Sequence, residues 1–110
     1  MVVTTRPATA ADARLLFDWR SDPASRAASL TSDAPTWEGQ LSWLDATLSD
    51  PNRDLRIGEA KGAPIGTLRF DAKGQQLTVS IAVAPDRRGH GLALPLLQAG
   101  LRDTDLTHDE

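Results

Sequence analysis

The residues with the clearest chemical potential in this sequence are the arginines and glycines between positions 85 and 93. Arg87, Arg88, Gly89 and Gly91 stand directly before a leucine-rich stretch that has the spacing of a helix. The first amide N–H groups of a helix have no partner within it, and the helix dipole adds partial positive charge there. Because glycine has no side chain and accepts unusual dihedral angles, the backbone can approach a ligand closely. The pattern predicts a loop that binds a phosphate or pyrophosphate.

A strand and a helix are predicted to position this loop. Bulky apolar residues alternate with smaller ones over Leu77–Val83, which is the period of a β-strand with one large and one small face. The strand should end at Ala84 and Pro85. A helix should begin at Leu92 and continue to about Leu101, after which the polar, acidic end of the chain is expected to fray.

Five further elements are predicted earlier in the chain. In chain order they are a strand over Val2–Thr5, a helix opened by Thr9 and ended near Ser21, a helix capped by Thr36 and ended at Pro51, and hairpin strands over Leu55–Ala60 and Ile65–Asp71. The second helix has the most regular apolar stripe, formed by Trp37, Leu41, Leu44 and Leu48. The predicted fold class is therefore mixed α+β, in the order β-α-α-β-β-β-α, with an antiparallel arrangement of the last three strands.

Composition narrows the functional classes. The chain has 110 residues, no cysteine, two histidines and a net charge of −3. These counts exclude thiolate chemistry and a Cys/His metal site, and the charge gives no overall attraction to nucleic acid. No apolar run approaches the roughly twenty residues that cross a bilayer, and the N-terminus lacks the features of a secretory signal. We expect one cytoplasmic domain over residues 1–110, with no metal, nucleic-acid or membrane partner.

Two stretches of the sequence resemble a known family. Arg88-x-x-Gly91-x-Ala93 matches the pattern Q/R-x-x-G-x-G/A of the GNAT acyltransferase superfamily, and the run from Val83 to Ala93 resembles that family's coenzyme A loop. The run from Leu15 to Pro23, followed by Arg26 and Trp43-Leu44, resembles the branch that acetylates amino groups of nucleotide-linked sugars. That branch borders the enzymes that acetylate ribosomal-protein N-termini.

The resemblance implies an N-acetyltransferase that moves an acetyl group from acetyl-CoA to a primary amine, such as an amino sugar or a protein N-terminus. It implies that the strand Leu77–Val83 binds the pantetheine arm. The coenzyme-binding residues that it implies are Val83, Arg88, Gly89, His90, Gly91, Leu92 and Ala93. Trp19, Arg20 and Arg26 would line the acceptor site, although a core role for Trp19 and surface or phosphate-partner roles for the two arginines remain alternatives.

Two carboxylates are candidates for the general base. An ammonium group must lose its proton before it attacks a thioester, and Glu59 and Asp71 end the hairpin strands where such a group could arrive. Solvated strand ends are the alternative interpretation. His90 has no identifiable catalytic partner, and an exposed loop histidine is the simpler interpretation. There is no tyrosine, so the general acid common in the family has no counterpart here.

The sequence leaves other functions open. The family's domain continues with further strands, whereas this chain ends nine residues after Leu101. A truncated, non-catalytic remnant that binds coenzyme A weakly or acts through dimerisation is therefore the alternative, and a homodimer would cover the open edge of the last strand. Dinucleotide binding is disfavoured because Leu94 replaces the third small residue of a Gly89-x-Gly91 fingerprint. A Walker loop is excluded because no Gly-Lys-Ser/Thr occurs.

Overall fold

Four antiparallel strands form the centre of the molecule. A computed structural model describes residues 2–22, 36–104 and 106 of the chain. Its strands are Val3–Pro7 (β1), Arg53–Ala60 (β2), Ala63–Lys73 (β3) and Gln76–Val83 (β4). They lie in the sheet in the order β1-β2-β3-β4, and each pairs antiparallel with its neighbour. The predicted α+β class and the antiparallel hairpins are confirmed.

Helices cover both faces of this sheet. The first is α1 (Ala13–Ser21), which follows a 3-10 turn at Ala10–Asp12. It packs with α2 (Trp37–Ser49) on one face of the sheet, and α3 (Ala93–Asp103) packs on the other. The alternation of β2 produces the two faces, because Leu55 and Ile57 point towards α1 and α2 while Gly58 and Ala60 face the α3 side.

The α3 face is an apolar core. Ile65, Leu68 and Phe70 of β3 are fully buried there with Leu96 of α3. Small residues let the helix approach closely: a Cβ at Gly58 would collide with the Leu96 side chain. This packing fixes α3 against the sheet, and its N-terminus is the end that follows the predicted phosphate loop.

Helix α2 buries a different face from the predicted one. Leu44 is buried as expected, but Leu41 and Leu48 are 40% and 38% exposed. The buried positions are instead Gln40, Leu44 and Thr47. The apolar spacing of four, three and four residues is compatible with more than one helix rotation, and the contact with α1 and the sheet selects a rotation that turns Gln40 and Thr47 inward.

The C-terminal end of α3 is anchored to the sheet, contrary to the predicted fraying from Asp103 onwards. The Asp103 carboxylate accepts a hydrogen bond from the Thr5 hydroxyl at 2.8 Å, which lowers the pKa of Asp103. The Thr104 hydroxyl donates to Asp54 at 2.6 Å. The remaining acids of the expected tail, Asp105, Asp109 and Glu110, lie outside the described residues.

Strand β4 forms one edge of the sheet. Within the described part of the chain no strand pairs with its outer side. Its residues are exposed or half-buried throughout, and Ile81 on the α3 face is 37% exposed. This edge therefore presents backbone N–H and C=O groups that are free to pair with a ligand or another strand. The expected homodimer through this edge stays a prediction.

Candidate functional site

Backbone hydrogen bonds fix the start of the loop between β4 and α3. Ala84 is 1% exposed, and its N–H donates to the Ile65 carbonyl at 2.8 Å. A 3-10 turn at Pro85–Arg87 then closes with a hydrogen bond from the Arg87 N–H to the Ala84 carbonyl. The loop thus leaves the sheet along a defined path, and it reaches α3 through the two predicted glycines.

Both glycines of the loop have left-handed backbone conformations. Gly89 has φ 82° and Gly91 has φ 68°, values that residues with side chains rarely adopt. A Cβ at either position would meet no protein atom within 4 Å. The glycines are therefore required by the shape of the loop and not by crowding from the protein, and the space outside them is open.

This loop contains a row of amide N–H groups without partners. Among the described residues, the backbone N–H groups from Gly89 to Leu94 have no hydrogen-bond acceptor. The first helical bond of α3 runs from the Leu96 N–H to the Leu92 carbonyl at 3.0 Å, and Pro95 has no N–H. No side chain of the described residues caps the helix. Unpaired donors at a helix N-terminus are the arrangement that binds phosphate.

The side chains of the predicted coenzyme-binding residues differ in access. His90 and Ala93 are exposed and Val83 is half-buried, whereas Leu92 is 7% exposed and packs in the core below α3. Leu92 can therefore meet a ligand through its backbone, and its side chain ties the loop to the core.

Arg88 connects the loop to α1. Its guanidinium lies 3.3 Å from the carboxylate of Asp22, the residue that ends α1, and its side chain is 41% exposed. The positive charge expected to meet a phosphate is thus shared with an acidic group. The ion pair also joins the loop to the helix that carries the predicted acceptor residues.

The candidate base Glu59 belongs to a charged cluster. Arg6 donates to Glu59 at 3.2 Å and makes two hydrogen bonds of 2.8 and 2.9 Å to Asp12. Asp12 is buried and also accepts from the Thr9 N–H. The Arg6 hydrogen bonds lower the pKa of Asp12, and the carboxylates raise the pKa of Arg6. Glu59 is therefore already paired with a cation.

The candidate base Asp71 lies at the other end of the sheet. It pairs opposite Thr78, five positions along β4 from the pair between Gly66 and Val83. At about 3.4 Å per residue this is about 17 Å from the start of the loop. Its carboxylate contacts Arg69 at 3.0 Å and Arg53 at 3.4 Å. The structure does not bring Asp71 and Glu59 together, and each carboxylate is paired with at least one arginine.

A recess of about 230 Å³ opens where α1 meets α2. Arg20 lines it from α1, and Thr36, Gly39, Gln40 and Trp43 line it from the other helix and its cap. Of the three predicted acceptor residues, the structure places Arg20 at this recess. Trp19 packs against the apolar cluster beside it, and Arg26 lies outside the described residues.

Gln40 and Trp43 are lining residues that the sequence did not indicate. Trp43 is half-buried against the apolar cluster of Ala13, Leu16 and Leu44, and it also lines the recess. The signal that could have indicated Gln40 is its position one turn before Leu44, on the same face of the helix. This signal identifies a buried polar residue only when it is known which face of the helix is buried.

The described residues offer neither a metal cluster nor a membrane span. They contain no group of three or more His, Cys, Asp or Glu side chains arranged to hold a metal ion. No helix within them is long and apolar enough to cross a membrane.

The comparisons with known proteins agree with this geometry. A family model described as the acetyltransferase (GNAT) domain matches residues 3–107. Among solved structures, the spermidine N-acetyltransferase from Vibrio cholerae in complex with CoA and spermine superposes with a TM-score of 0.79 at 16% identity, covering 92% of this chain and 62% of that one. An acetyltransferase from Thermus thermophilus superposes with a TM-score of 0.80 at 23% identity, covering 96% of this chain and 71% of that one.

The aminoglycoside acetyltransferase AAC(6')-Ib in complex with coenzyme A gives a TM-score of 0.75 at 19% identity, covering 91% of this chain and 65% of that one. These identities show a shared fold. The chain spans less than two thirds of the length of the spermidine N-acetyltransferase. No curated protein matches the sequence.

Proposed function

Because the chain belongs to the GNAT acetyltransferase family, we propose that it transfers an acetyl group from acetyl-CoA to a primary amine. The observation that carries the proposal is the row of unpartnered N–H groups from Gly89 to Leu94 at the start of α3, as far as the described residues extend. Unpaired donors at a helix start can bind a pyrophosphate, and the two glycines with positive φ leave space for a ligand, which supports the proposal.

The edge of β4 is the proposed binding surface for the pantetheine arm. Its outer backbone groups have no strand partner in the described part of the chain, and the strand leads directly into the loop. An extended amide chain can pair with such an edge in the way that a strand does. This would carry the thioester from the loop along β4.

The proposed reaction is a direct transfer. A base first takes one proton from the ammonium group of the acceptor. The neutral amine nitrogen then attacks the thioester carbonyl carbon, and the bond from that carbon to the coenzyme sulfur breaks. The nitrogen loses a second proton, which passes to the sulfur, so that the coenzyme leaves as a thiol. Glu59 would accept the first proton beside Arg6, and Asp71 would accept it at Oδ1, which has no hydrogen-bond partner among the described residues and lies 3.4 Å from Arg53. Positioning of the amine against the thioester is then the main source of acceleration.

The acceptor class is an amine. Spermine and CoA occupy the spermidine N-acetyltransferase, and AAC(6')-Ib is an aminoglycoside acetyltransferase. We propose an amino sugar or a protein N-terminus for this chain, on the sequence resemblance described above. The activity of the whole protein, a homodimer and a cytoplasmic location are likewise proposals.

A second candidate is coenzyme binding without transfer. The specific observation in its favour is that both candidate bases are held in ion pairs, Glu59 with Arg6 and Asp71 with two arginines. This alternative shares the coenzyme loop with the leading proposal and differs in lacking turnover.

Matched glycine variants test the coenzyme loop. Gly91→Ala and Gly74→Ala each place a side chain at a positive φ, 68° and 61°, and neither new Cβ would touch a described residue. Both should lose similar stability, about 1 kcal/mol, because the strain is the same. In calorimetric titration with acetyl-CoA, Gly91→Ala should bind at least about tenfold more weakly, while Gly74→Ala should bind like the unsubstituted protein. Equal affinities of the two variants would contradict the proposal.

Turnover separates the two candidates. A thiol-release assay with acetyl-CoA and a panel of amines should give amine-dependent release that Gly91→Ala reduces in proportion to its affinity. Saturable binding with no amine-dependent release would favour the binding-only alternative.

A further inference from the structure

The recess between α1 and α2 contains polar groups that no described residue satisfies. We infer that it binds an oxyanion of the amine acceptor, a phosphate or a carboxylate, through Arg20 and Gln40 against the ring of Trp43. The inference rests on the proposed function, because it assigns the non-reacting part of the acceptor.

Gln40 is the first observation. The residue is 4% exposed and lines the recess. Its side-chain amide makes no hydrogen bond to any described residue, whereas the neighbouring cap is satisfied by the bond from the Gly39 N–H to the Thr36 hydroxyl. The amide atoms of Gln40 are not among the fully enclosed, unsatisfied atoms of the described residues, so they are accessible from the recess. An amide carries both donors and an acceptor, and a ligand in the recess can therefore hydrogen-bond to it.

Arg20 supplies the charge. It is exposed at the rim and forms no ion pair with the described residues. The acids closest to it along α1 are engaged elsewhere, Asp18 with Arg14 and Asp22 with Arg88. A guanidinium with an open fork of donors binds a phosphate or carboxylate by charge-assisted hydrogen bonds.

Trp43, which lines the recess, lies beside Arg69 of the sheet. The Arg69 guanidinium lies 5.8 Å from the centre of the Trp43 ring. Arg69 is paired opposite Ser80 of β4, the strand proposed to carry the thioester. The Trp43 side of the recess thus lies beside β3, the neighbour of β4. Arg69 is paired with Asp71, so the preference for an anion over a polycation rests on Arg20.

The position of the recess also suits an acceptor. Arg20 is two residues from Asp22, whose ion pair with Arg88 joins the end of α1 to the coenzyme loop. An amine whose oxyanion is held at Arg20 would remain close to both the loop and β4. The anion would select the acceptor and leave its amino group free to react.

Titration of amino sugars that differ in charge tests the inference. All three test sugars carry the same amine. Glucosamine has no anionic group, glucosamine 6-phosphate carries a phosphate, and muramic acid carries a carboxylate. Spermidine is the polycation control. We expect at least one anionic sugar to bind about tenfold more tightly than glucosamine, the size of one charge-assisted hydrogen bond. Which of the two binds identifies phosphate or carboxylate as the anion. The titrations contain no acetyl-CoA, so failure of the coenzyme site would not affect them.

Variants locate the effect. Arg20→Gln should reduce the affinity of the preferred anionic sugar to that of glucosamine, and Gln40→Leu should weaken it about fivefold. Arg14→Gln removes the same charge from the same helix and should change nothing, because Arg14 is exposed and paired with Asp18. The inference would be overturned if the three sugars bound with equal affinity, if none of them bound, or if spermidine bound more tightly than the sugars. Equal effects of Arg20→Gln and Arg14→Gln would also overturn it.

Discussion

The two faces of the sheet are built in different ways. On the α3 face, small residues allow a close helix contact: a Cβ at Gly66 would lie 3.0 Å from the Leu96 side chain, and one at Gly100 would lie 2.7 Å from Leu68. On the α1 and α2 face, the interior includes the polar residues Gln40 and Thr47 and leaves a recess. Close apolar packing fixes the N-terminus of α3, where we propose that the coenzyme binds. The polar, less filled face contains the recess that we propose binds the non-reacting part of the acceptor.

The largest effect should come from the contact that fixes α3. Leu96 is fully buried against β2 and β3, so Leu96→Ala should lower the free energy of unfolding by about 2–5 kcal/mol through lost burial and a residual cavity. Leu94→Ala in the same helix should cost under about 0.5 kcal/mol, since Leu94 is 62% exposed. Urea denaturation measures both. Similar losses for the two variants would show that α3 is not fixed by this packing.

An intermediate effect is expected at Asp12, on the other face. Asp12→Asn removes the charge that pairs with Arg6, and we expect a loss of about 2 kcal/mol, reduced from the fully buried case because Arg6 is 38% exposed. Asp18→Asn breaks an exposed pair with Arg14 and should cost under about 0.5 kcal/mol. Equal losses would contradict the special role assigned to the Arg6–Asp12 pair.

The same carboxylate gives a pH dependence. The pKa of Asp12 lies below its ordinary value of 3.8 in the folded state, so the folded state favours the charged form. The stabilisation is therefore complete above pH 3.8 and is lost as the pH falls through the lowered folded-state pKa. Chemical denaturation at several acidic pH values should show a shallower decline for Asp12→Asn than for the unsubstituted protein. Parallel curves would argue against this contribution.

The smallest effect is expected at the ion pair between Asp22 and Arg88, which joins the end of α1 to the loop before α3. Asp22→Asn weakens the competition for Arg88, so acetyl-CoA should bind about two- to fivefold more tightly, as expected for an ion pair worth under about 1 kcal/mol. Calorimetric titration detects this change. A weaker affinity in Asp22→Asn would mean that the ion pair holds Arg88 in its binding position instead of competing for it.

The sequence predicted features that depend on neighbouring residues, and it did not predict features that depend on residues far apart in the chain. The alternation over Leu77–Val83 and the glycines after it are local signals, and the strand, the loop and its positive φ angles agree with them. The buried face of α2 was not predicted, because the choice between Leu41 and Gln40 depends on contacts with α1 and the sheet.

The anchors and ion pairs were likewise beyond a local analysis. Thr5 and Asp103 are 98 positions apart in the chain, and Arg6 and Glu59 are 53 apart. Such pairs become neighbours only after the sheet and α3 are assembled. The recess has the same origin, since Arg20 and Trp43 belong to different helices.

An amide-resolved NMR titration with coenzyme A tests most directly whether the amide groups at the start of α3 bind the pyrophosphate. We expect saturable shifts of the Gly89, Gly91 and Ala93 N–H signals as they bond to the pyrophosphate, while the Gly74 signal at the far hairpin stays unchanged. Saturable binding that leaves the Gly89, Gly91 and Ala93 signals in place would contradict this expectation.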